Sequence, residues 1–308
     1  MANDTNPALP GADQLRLQFI STGTVQVRSA MMHQPATNSV LMRRWRSFTD
    51  RTWSESLPIG VFLISHPDGP ILFDTGESPA CNDPGYMSAW NPTKWMTVMD
   101  IRQEEGIVEQ LRALGTEPAT LQAIVLSHLH SDHVGGLKAL LAAAPDVPVF
   151  VTKEHWDDVG KHQTLAAIKG YAPANWPPNF APRELVFENE SLGPWKDFSR
   201  ITPDGSVVAV KTPGHVLGHV SLIVFAGADK EYGTTYLLPG DATYGVDLLD
   251  VEEPDGINDD PMTALQSLQL MKEFARQRPV VVLPSHDPKT PVLLRDRVVY
   301  EPKEGPKI

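Results

Sequence analysis

The sequence predicts an α/β protein in which sheets are covered by helices, and three observations carry that reading. Apolar runs of strand length alternate with amphipathic runs of helical spacing in both halves of the chain. Several of the apolar runs end in a Pro, Gly or Ser turn followed by a histidine or an aspartate. The composition, 41% hydrophobic and 21% charged over 308 residues, is that of a globular chain with a large core.

Taken in order, "LRLQFISTGTVQV" reads as a strand, and "GVFLISHPDGPILFDTG" as a hairpin whose "HPDGP" supplies the turn. In "EEGIVEQLRALG", Ile107, Leu111 and Leu114 recur at helical spacing and Gly115 suits a helix stop. The strand "LQAIVLS" then delivers a histidine-rich loop, and "GGLKALLAAAP" resumes as a helix. Later, "VVAVKTPGH", "VSLIVFAG" and "TTYLLPGDATY" read as strands. In "DDPMTALQSLQLMKEFARQRP", Asp260 is the cap, Pro261 takes the first helical position, and Ala264, Leu268, Met271 and Ala275 form the apolar stripe. The buried strand "VVVLPSH" follows, and the residues after His286, about twenty in number, show no helical pattern. No linker or repeat divides residues 1–308, so one domain is expected, with 1–14 as a loose polar arm.

Composition narrows the function. A net charge of −12 disfavours a nucleic-acid partner, and no basic patch stands out beyond "RRWR" at Arg43 to Arg46. No apolar run approaches the roughly 20 residues of a spanning helix, so no membrane partner is expected. Cys81 is the only cysteine, which excludes an internal disulfide and a cysteine-cluster metal site and favours the cytoplasm.

The loop "HLHSDHVGG" gathers His128, His130, Asp132 and His133 in a chain with only ten histidines. Solvation does not require that density, whereas metal ligation does. In extended backbone alternate residues point the same way, so His128 and His130 can reach one ion. Asp132 and His133 lie around the turn and face a second. Further donors stand at other strand ends: His215 in "TPGH", Asp241 in "LLPGD" and His286 in "VVVLPSH". Spacing alone does not choose between His215 and His219 in "GHVLGH". Neutral imidazole and carboxylate suit two divalent transition-metal ions, zinc first, with iron, manganese or cobalt as alternatives.

These pieces, "LFDTG", "HLHSDH", "TPGH", "GD" and a late "SH" in that order, resemble the metallo-β-lactamase superfamily from about Leu15 to His286. The resemblance implies an αββα sandwich of two mixed β-sheets flanked by helices. It implies that His128, His130 and His215 hold metal one, that Asp132, His133 and His286 hold metal two, and that Asp241 bridges them. It selects His215 over His219, which it leaves structural. Asp74 resembles the carboxylate that orients a ligand imidazole, although the turn alone also accounts for an aspartate there.

Within the superfamily, "DATY", "TPGHVLGHVSL" and "HLHSDHVGG" look like the N-acyl-homoserine lactonase branch, in which a tyrosine three residues past the bridging aspartate, here Tyr244, bonds the substrate carbonyl. On the residues alone a core tyrosine is the favoured reading of Tyr244, and the resemblance reverses it. The implied activity is hydrolysis of a small lactone or ester by a hydroxide shared between two ions, with Asp132 carrying the proton to the leaving oxygen. The alternatives are an ester, a glyoxalase II-like thioester or a phosphotriester hydrolase, or a metal-binding sensor without turnover. The zinc β-lactamases proper use a cysteine ligand, whereas Cys81 lies outside every matched piece.

Two stretches depart from the compact pattern. They carry Met31, Met32, Met42, Trp45, Phe48 and Trp53, then Met87, Trp90, Trp95 and Met96, a composition that suits either an acyl-chain wall or a homodimer contact. "GYAPANWPPNFAP" is read as a further wall or lid. His33, His66, His155 and His162 fall outside the matched motifs and are expected at the surface or in loops.

Overall fold

The computed structural model describes residues 15–87, 91–227 and 233–304. The expected N-terminal arm at 1–14 and Trp90 lie outside the described residues.

The first half runs β1 (Arg16–Val27), α1 (Ser29–Met32), α2 (Val40–Thr49), β2 (Leu57–Ser65), β3 (Ile71–Phe73), β4 (Thr97–Asp100), α3 (Ile107–Ala113), β5 (Ala123–Val125), α4 (Ser131–Val134) and α5 (Leu137–Ala143). It continues with β6 (Val149–Val151), α6 (Lys153–His155), α7 (Gln163–Ile168) and β7 (Arg183–Glu184). The second half adds β8 (Ser199–Arg200), β9 (Val207–Lys211), β10 (Val220–Ala226), β11 (Thr234–Leu238), α8 (Val246–Val251), α9 (Pro261–Gln277), β12 (Val280–Val282) and α10 (Thr290–Asp296).

The strands form a seven-stranded sheet, β4-β1-β2-β3-β5-β6-β7, and a five-stranded sheet, β12-β11-β10-β9-β8. Both are mixed, since β3, β5, β6 and β7 pair in parallel, as do β11 and β12, while the remaining pairs are antiparallel.

Strand alternation explains the layers. Along β10, Val220, Leu222 and Val224 pack with Phe62, Phe73 and Val125 of the first sheet, while Ile223 and Phe225 pack with Leu268, Met271 and Phe274 of α9. On the far side of the first sheet, Val61, Leu63, Leu72 and Ile124 meet Ile107 and Leu111 of α3 and Leu137 and Leu140 of α5. Helix, sheet, sheet and helix therefore stack as the sandwich expected. Removing a side chain such as Leu222, fully buried between the sheets, costs about 2–5 kcal/mol on truncation to alanine.

The helix signals hold locally. Asp260 caps α9 by accepting from the amides of Met262 and Thr263, and Pro261 follows it. All four stripe residues of α9 are buried. Leu114 departs from its expected place in the α3 stripe: it lies just past the helix end and is 45% exposed. Gly115 follows at φ +76°, a backbone conformation that stops the helix there.

Two elements were not legible in the pattern. The stretch after His286 forms α10, contrary to expectation, because Leu293 and Leu294 pack onto the inter-sheet core and Thr290 Oγ1 donates to Pro284 O. Tertiary packing sustains a seven-residue helix that periodicity does not reveal. The first insertion contains α2, whose buried residues are Arg43 and Ser47 rather than its large apolar ones.

Candidate metal centre

The site is assembled from loops at the ends of strands in both sheets. After β5 the chain passes through Ser127, His128 and His130 into α4, which presents Asp132 and His133. His215 stands in the connection between β9 and β10, Asp241 in the tight turn after β11, and His286 just after β12. Close backbone approach sets two of these positions. A side chain at Gly214, φ +131°, would strike the start of α9, its Cβ lying 2.2 Å from Ala264 N, and one at Gly60 would lie 2.4 Å from Ser285 O. Loops from separate sheets thereby reach one point.

There the donors sort into two groups. His128 Nε2 lies 2.8 Å from His130 Nδ1, which lies 3.0 Å from His215 Nε2. The second group holds Asp132, His133, Asp241 and His286. Asp241 faces both: its Oδ1 lies 3.0 Å from His133 Nε2 and 3.1 Å from His286 Nε2, while its Oδ2 lies 3.6 Å from His215 Nε2 and 4.0 Å from His128 Nε2. All seven residues expected from the sequence converge.

The far nitrogens decide which atoms point inward as lone pairs. Nδ1 of His133 donates to Asp74 Oδ2 at 2.8 Å, Nδ1 of His286 to Pro58 O at 2.8 Å, and Nδ1 of His215 to Asp255 Oδ2 at 3.0 Å. Ser127 Oγ donates to Asp74 Oδ2 at 2.9 Å and so accepts from His128 Nδ1 at 3.0 Å. Each of these imidazoles then turns an unprotonated Nε2 toward the centre. Nε2 of His133 and Oδ1 of Asp241 are buried without a hydrogen-bond partner. Buried lone pairs facing one another without protons are costly unless a cation lies between them, so the residues fit a divalent metal.

The acids of the site demand positive charge, which protons on the imidazoles supply where a metal cation does not. Burial alone lowers the pKa of His215, but Asp255 and Asp241 outweigh it and raise it to about 9. Burial likewise opposes the charge on Asp241, yet His133 and His286 hold its carboxyl well below the usual range. Tyr244 is 7% exposed, with its ring 5.3 Å from that of His286 and 6.5 Å from that of His215. Burial, and then Asp241 and Asp255, push its phenol well above the ordinary value, so it remains a donor.

A sequence profile of the Metallo-beta-lactamase superfamily matches residues 57–286, about three quarters of the chain. The chain belongs to that superfamily. It is 28% identical over 234 residues to the N-acyl homoserine lactonase AttM of Rhizobium radiobacter, a match covering 75% of this chain and 82% of AttM. Its fold is similar to that of an N-acyl homoserine lactone hydrolase solved with the product N-hexanoyl-L-homoserine at its catalytic metal centre (TM-score 0.64, 23% identity, covering 90% of this chain and 94% of that one). It is also similar in fold to AidC, a dizinc quorum-quenching lactonase (TM-score 0.58, 16% identity, 90% and 89% covered). Like its superfamily relatives, the protein is a metal-dependent hydrolase.

In this metallo-β-lactamase chain Asp74 does what the resemblance implied, holding His133 while also accepting from Ser127 N at 2.7 Å. It does so from φ +63°, strained backbone for a non-glycine residue. His219 is structural: Nε2 accepts from Asp241 N at 3.2 Å and the far nitrogen meets Thr212 Oγ1 at 2.9 Å. His155 is not the surface or loop residue expected. It is fully buried, accepts from Leu129 N at 3.0 Å and donates to Leu217 O at 2.8 Å, fixing the loop between His128 and His130. His33 is exposed as expected and pairs with Glu253, and His162 is exposed as well. His66 lies in its turn with its side chain only 3% exposed, beside Asp68 and Asp204.

Sequence reasoning missed Asp255. It is one of several acids in "EEPDGINDDP" and carries no local signal that distinguishes it. The buried Arg43 of α2 donates to the carbonyls of Gln34, Pro35, Pro254 and Asp255 and so bolts the first insertion onto the loop that holds His215.

The insertions divide between the two readings. Met31, Phe48 and Met96 line a cavity of about 230 Å³ that opens on His130 and His215. Leu41, Trp45 and Trp95 are not among its lining residues and are 80%, 63% and 62% exposed, and Phe48 is itself 58% exposed. Tyr171, from the proline-rich stretch read as a wall, also lines the cavity.

Proposed function

We propose that the protein is a dinuclear hydrolase that opens N-acyl homoserine lactones or related lactones. The observation that carries this reading is Asp241, whose two oxygens face two separate clusters of imidazole lone pairs. His128, His130 and His215 would hold one ion, Asp132, His133 and His286 the other, and Asp241 would bridge. Five imidazoles and two carboxylates suit zinc, with iron, manganese or cobalt as alternatives. Similarity to AttM and to the dizinc AidC supports both the ions and the substrate class.

Bound there, two divalent ions supply Lewis acidity and lower the pKa of water to about 7. The chain's own residues do the rest. Tyr244 donates to the lactone carbonyl oxygen and strengthens that bond as the oxygen becomes anionic, a contribution of about 3 kcal/mol. As a water oxygen adds to the carbonyl carbon, Asp132, whose side chain is 19% exposed at the site, takes the proton that water releases and passes it to the ring oxygen as the ring C–O bond breaks. The apolar walls Met31, Phe48 and Met96 receive the acyl chain.

We further propose that residues 1–308 form one domain, working in the cytoplasm. Among the described residues no helix is long and apolar enough to cross a membrane. The exposed Leu41 and Trp45 of α2 suit a homodimer contact, which light scattering of the purified protein tests.

A pH-indicator assay tests the substrate class, since each lactone opened near pH 7 yields a carboxyl of pKa about 4 and releases one proton. N-acyl homoserine lactones of increasing chain length are compared with simple lactones, an aryl ester, a glutathione thioester, a β-lactam and a phosphotriester. The lactones should rank first, with kcat/KM rising by at most about fourfold per methylene. A preference of more than about a hundredfold for another class would reject the lactonase assignment.

A further inference from the structure

Tyr171 is 2% exposed, and its hydroxyl has no hydrogen-bond partner among the described residues. Its position is built. Tyr171 N donates to Ala166 O at 3.0 Å, and the buried Asn91 donates from Nδ2 to the carbonyls of Gly170 and Tyr171 at 3.1 and 3.2 Å. Gly170, at φ +104°, makes the bend that brings the ring inward. The ring stacks on His130, with centroids 4.5 Å apart and planes 26° from parallel, and lines the 230 Å³ cavity beside the centre.

A buried hydroxyl with no partner costs more than an ordinary hydrogen bond contributes, so phenylalanine would pack this stack better unless the hydroxyl meets something else. The other polar groups lining the cavity show what kind of group that is. Arg44 is paired with Asp259 at 2.9 Å, and Lys169 with Asp158 at 2.7 and 2.8 Å. Both cations are already compensated, and an anion would have to compete with those carboxylates. The unspent group is a neutral donor, because a tyrosine hydroxyl keeps its proton near pH 7.

We infer that Tyr171 is a specificity-determining residue whose hydroxyl donates to a neutral carbonyl oxygen, such as that of an amide or ketone, on the acyl side of the ester bond being cleaved. The inference rests on the hydrolase reading of the adjacent centre and sharpens its substrate class. An acyl chain without that carbonyl leaves the hydroxyl unpaired in the complex and is selected against.

The test compares wild type with Tyr171→Phe on two substrate pairs, one member of each lacking the amide. N-hexanoyl homoserine lactone is set against α-heptyl-γ-butyrolactone, and 4-nitrophenyl N-acetylglycinate against 4-nitrophenyl pentanoate. Comparing the two proteins on each pair cancels the intrinsic reactivities. The variant should lose about threefold to tenfold more kcat/KM on the amide-bearing member, the range of one net hydrogen bond. Because phenylalanine keeps the stack, its metal content should match wild type and its melting temperature should not fall. If the lactones are not turned over but the ester pair shows the difference, the lactone reading falls and the role of Tyr171 stands. If lactones are opened and both members of each pair lose equally, the lactone reading stands and Tyr171 is a packing residue. A variant that melts lower and holds less metal would likewise overturn the inference.

Discussion

Asp255 accepts a hydrogen bond from Nδ1 of His215 at 3.0 Å, and both side chains are buried. The contact fixes the tautomer of His215 and aims its Nε2 at the centre. Asp255→Asn keeps the shape but loses the charge-assisted acceptor, and metal affinity should fall about tenfold to a hundredfold. Competition with a chromogenic chelator reads this directly. Unchanged affinity would mean that packing alone orients the imidazole.

Metal content is the second prediction. The purified protein should carry close to two transition-metal ions per chain, and Asp241→Ala should lose both together with activity, since its two oxygens serve both donor groups. Elemental analysis beside the hydrolysis assay checks it. Full activity in a chelated, metal-free sample would contradict the proposed chemistry.

Tyr244→Phe should keep the metal and slow turnover by about tenfold to several hundredfold, as expected when one donor to a developing oxyanion is removed. The loss should appear mainly in kcat, because the bond strengthens in the transition state. Equal kinetics across several lactones would return Tyr244 to a packing role.

His155 predicts a pH dependence of stability. Burial, partly offset by its bond to Leu217 O, lowers its pKa to about 4, against about 6.5 in the unfolded chain. As pH falls the unfolded state therefore binds the proton first. The stabilisation is complete above about pH 6.5, declines below it, and is spent near pH 4, a change of roughly 3 kcal/mol. His155→Gln can accept from Leu129 N and donate to Leu217 O without titrating. Denaturant melts between pH 7 and 4.5 should show a steeper loss for wild type than for the variant, whereas parallel curves would refute the assignment.

The centre was legible because its chemistry is concentrated. His128, His130, Asp132 and His133 fall within six residues at a strand end, and His215, Asp241 and His286 each follow a strand and a turn. The long α9 was legible because cap, proline and stripe agree. The first insertion misled in part, since α2 buries Arg43 and exposes Leu41 and Trp45, the reverse of an ordinary amphipathic helix. One end of its guanidinium is held by carbonyls some two hundred residues away, which no local pattern announces.

By itself the sequence determined the alternation of strands and helices and the candidate metal donors, because each depends on residue type and short-range spacing, and its resemblance to the metallo-β-lactamase superfamily carried the class of chemistry. The tertiary structure decided which acid orients His215, that His155 braces the ligand loop from within, which insertion residues face the cavity, and that the Tyr171 hydroxyl is left unpaired beside it. Those facts depend on contacts between segments remote in the chain, and hydrogen-bond partners and burial exist only once both sheets have closed on each other.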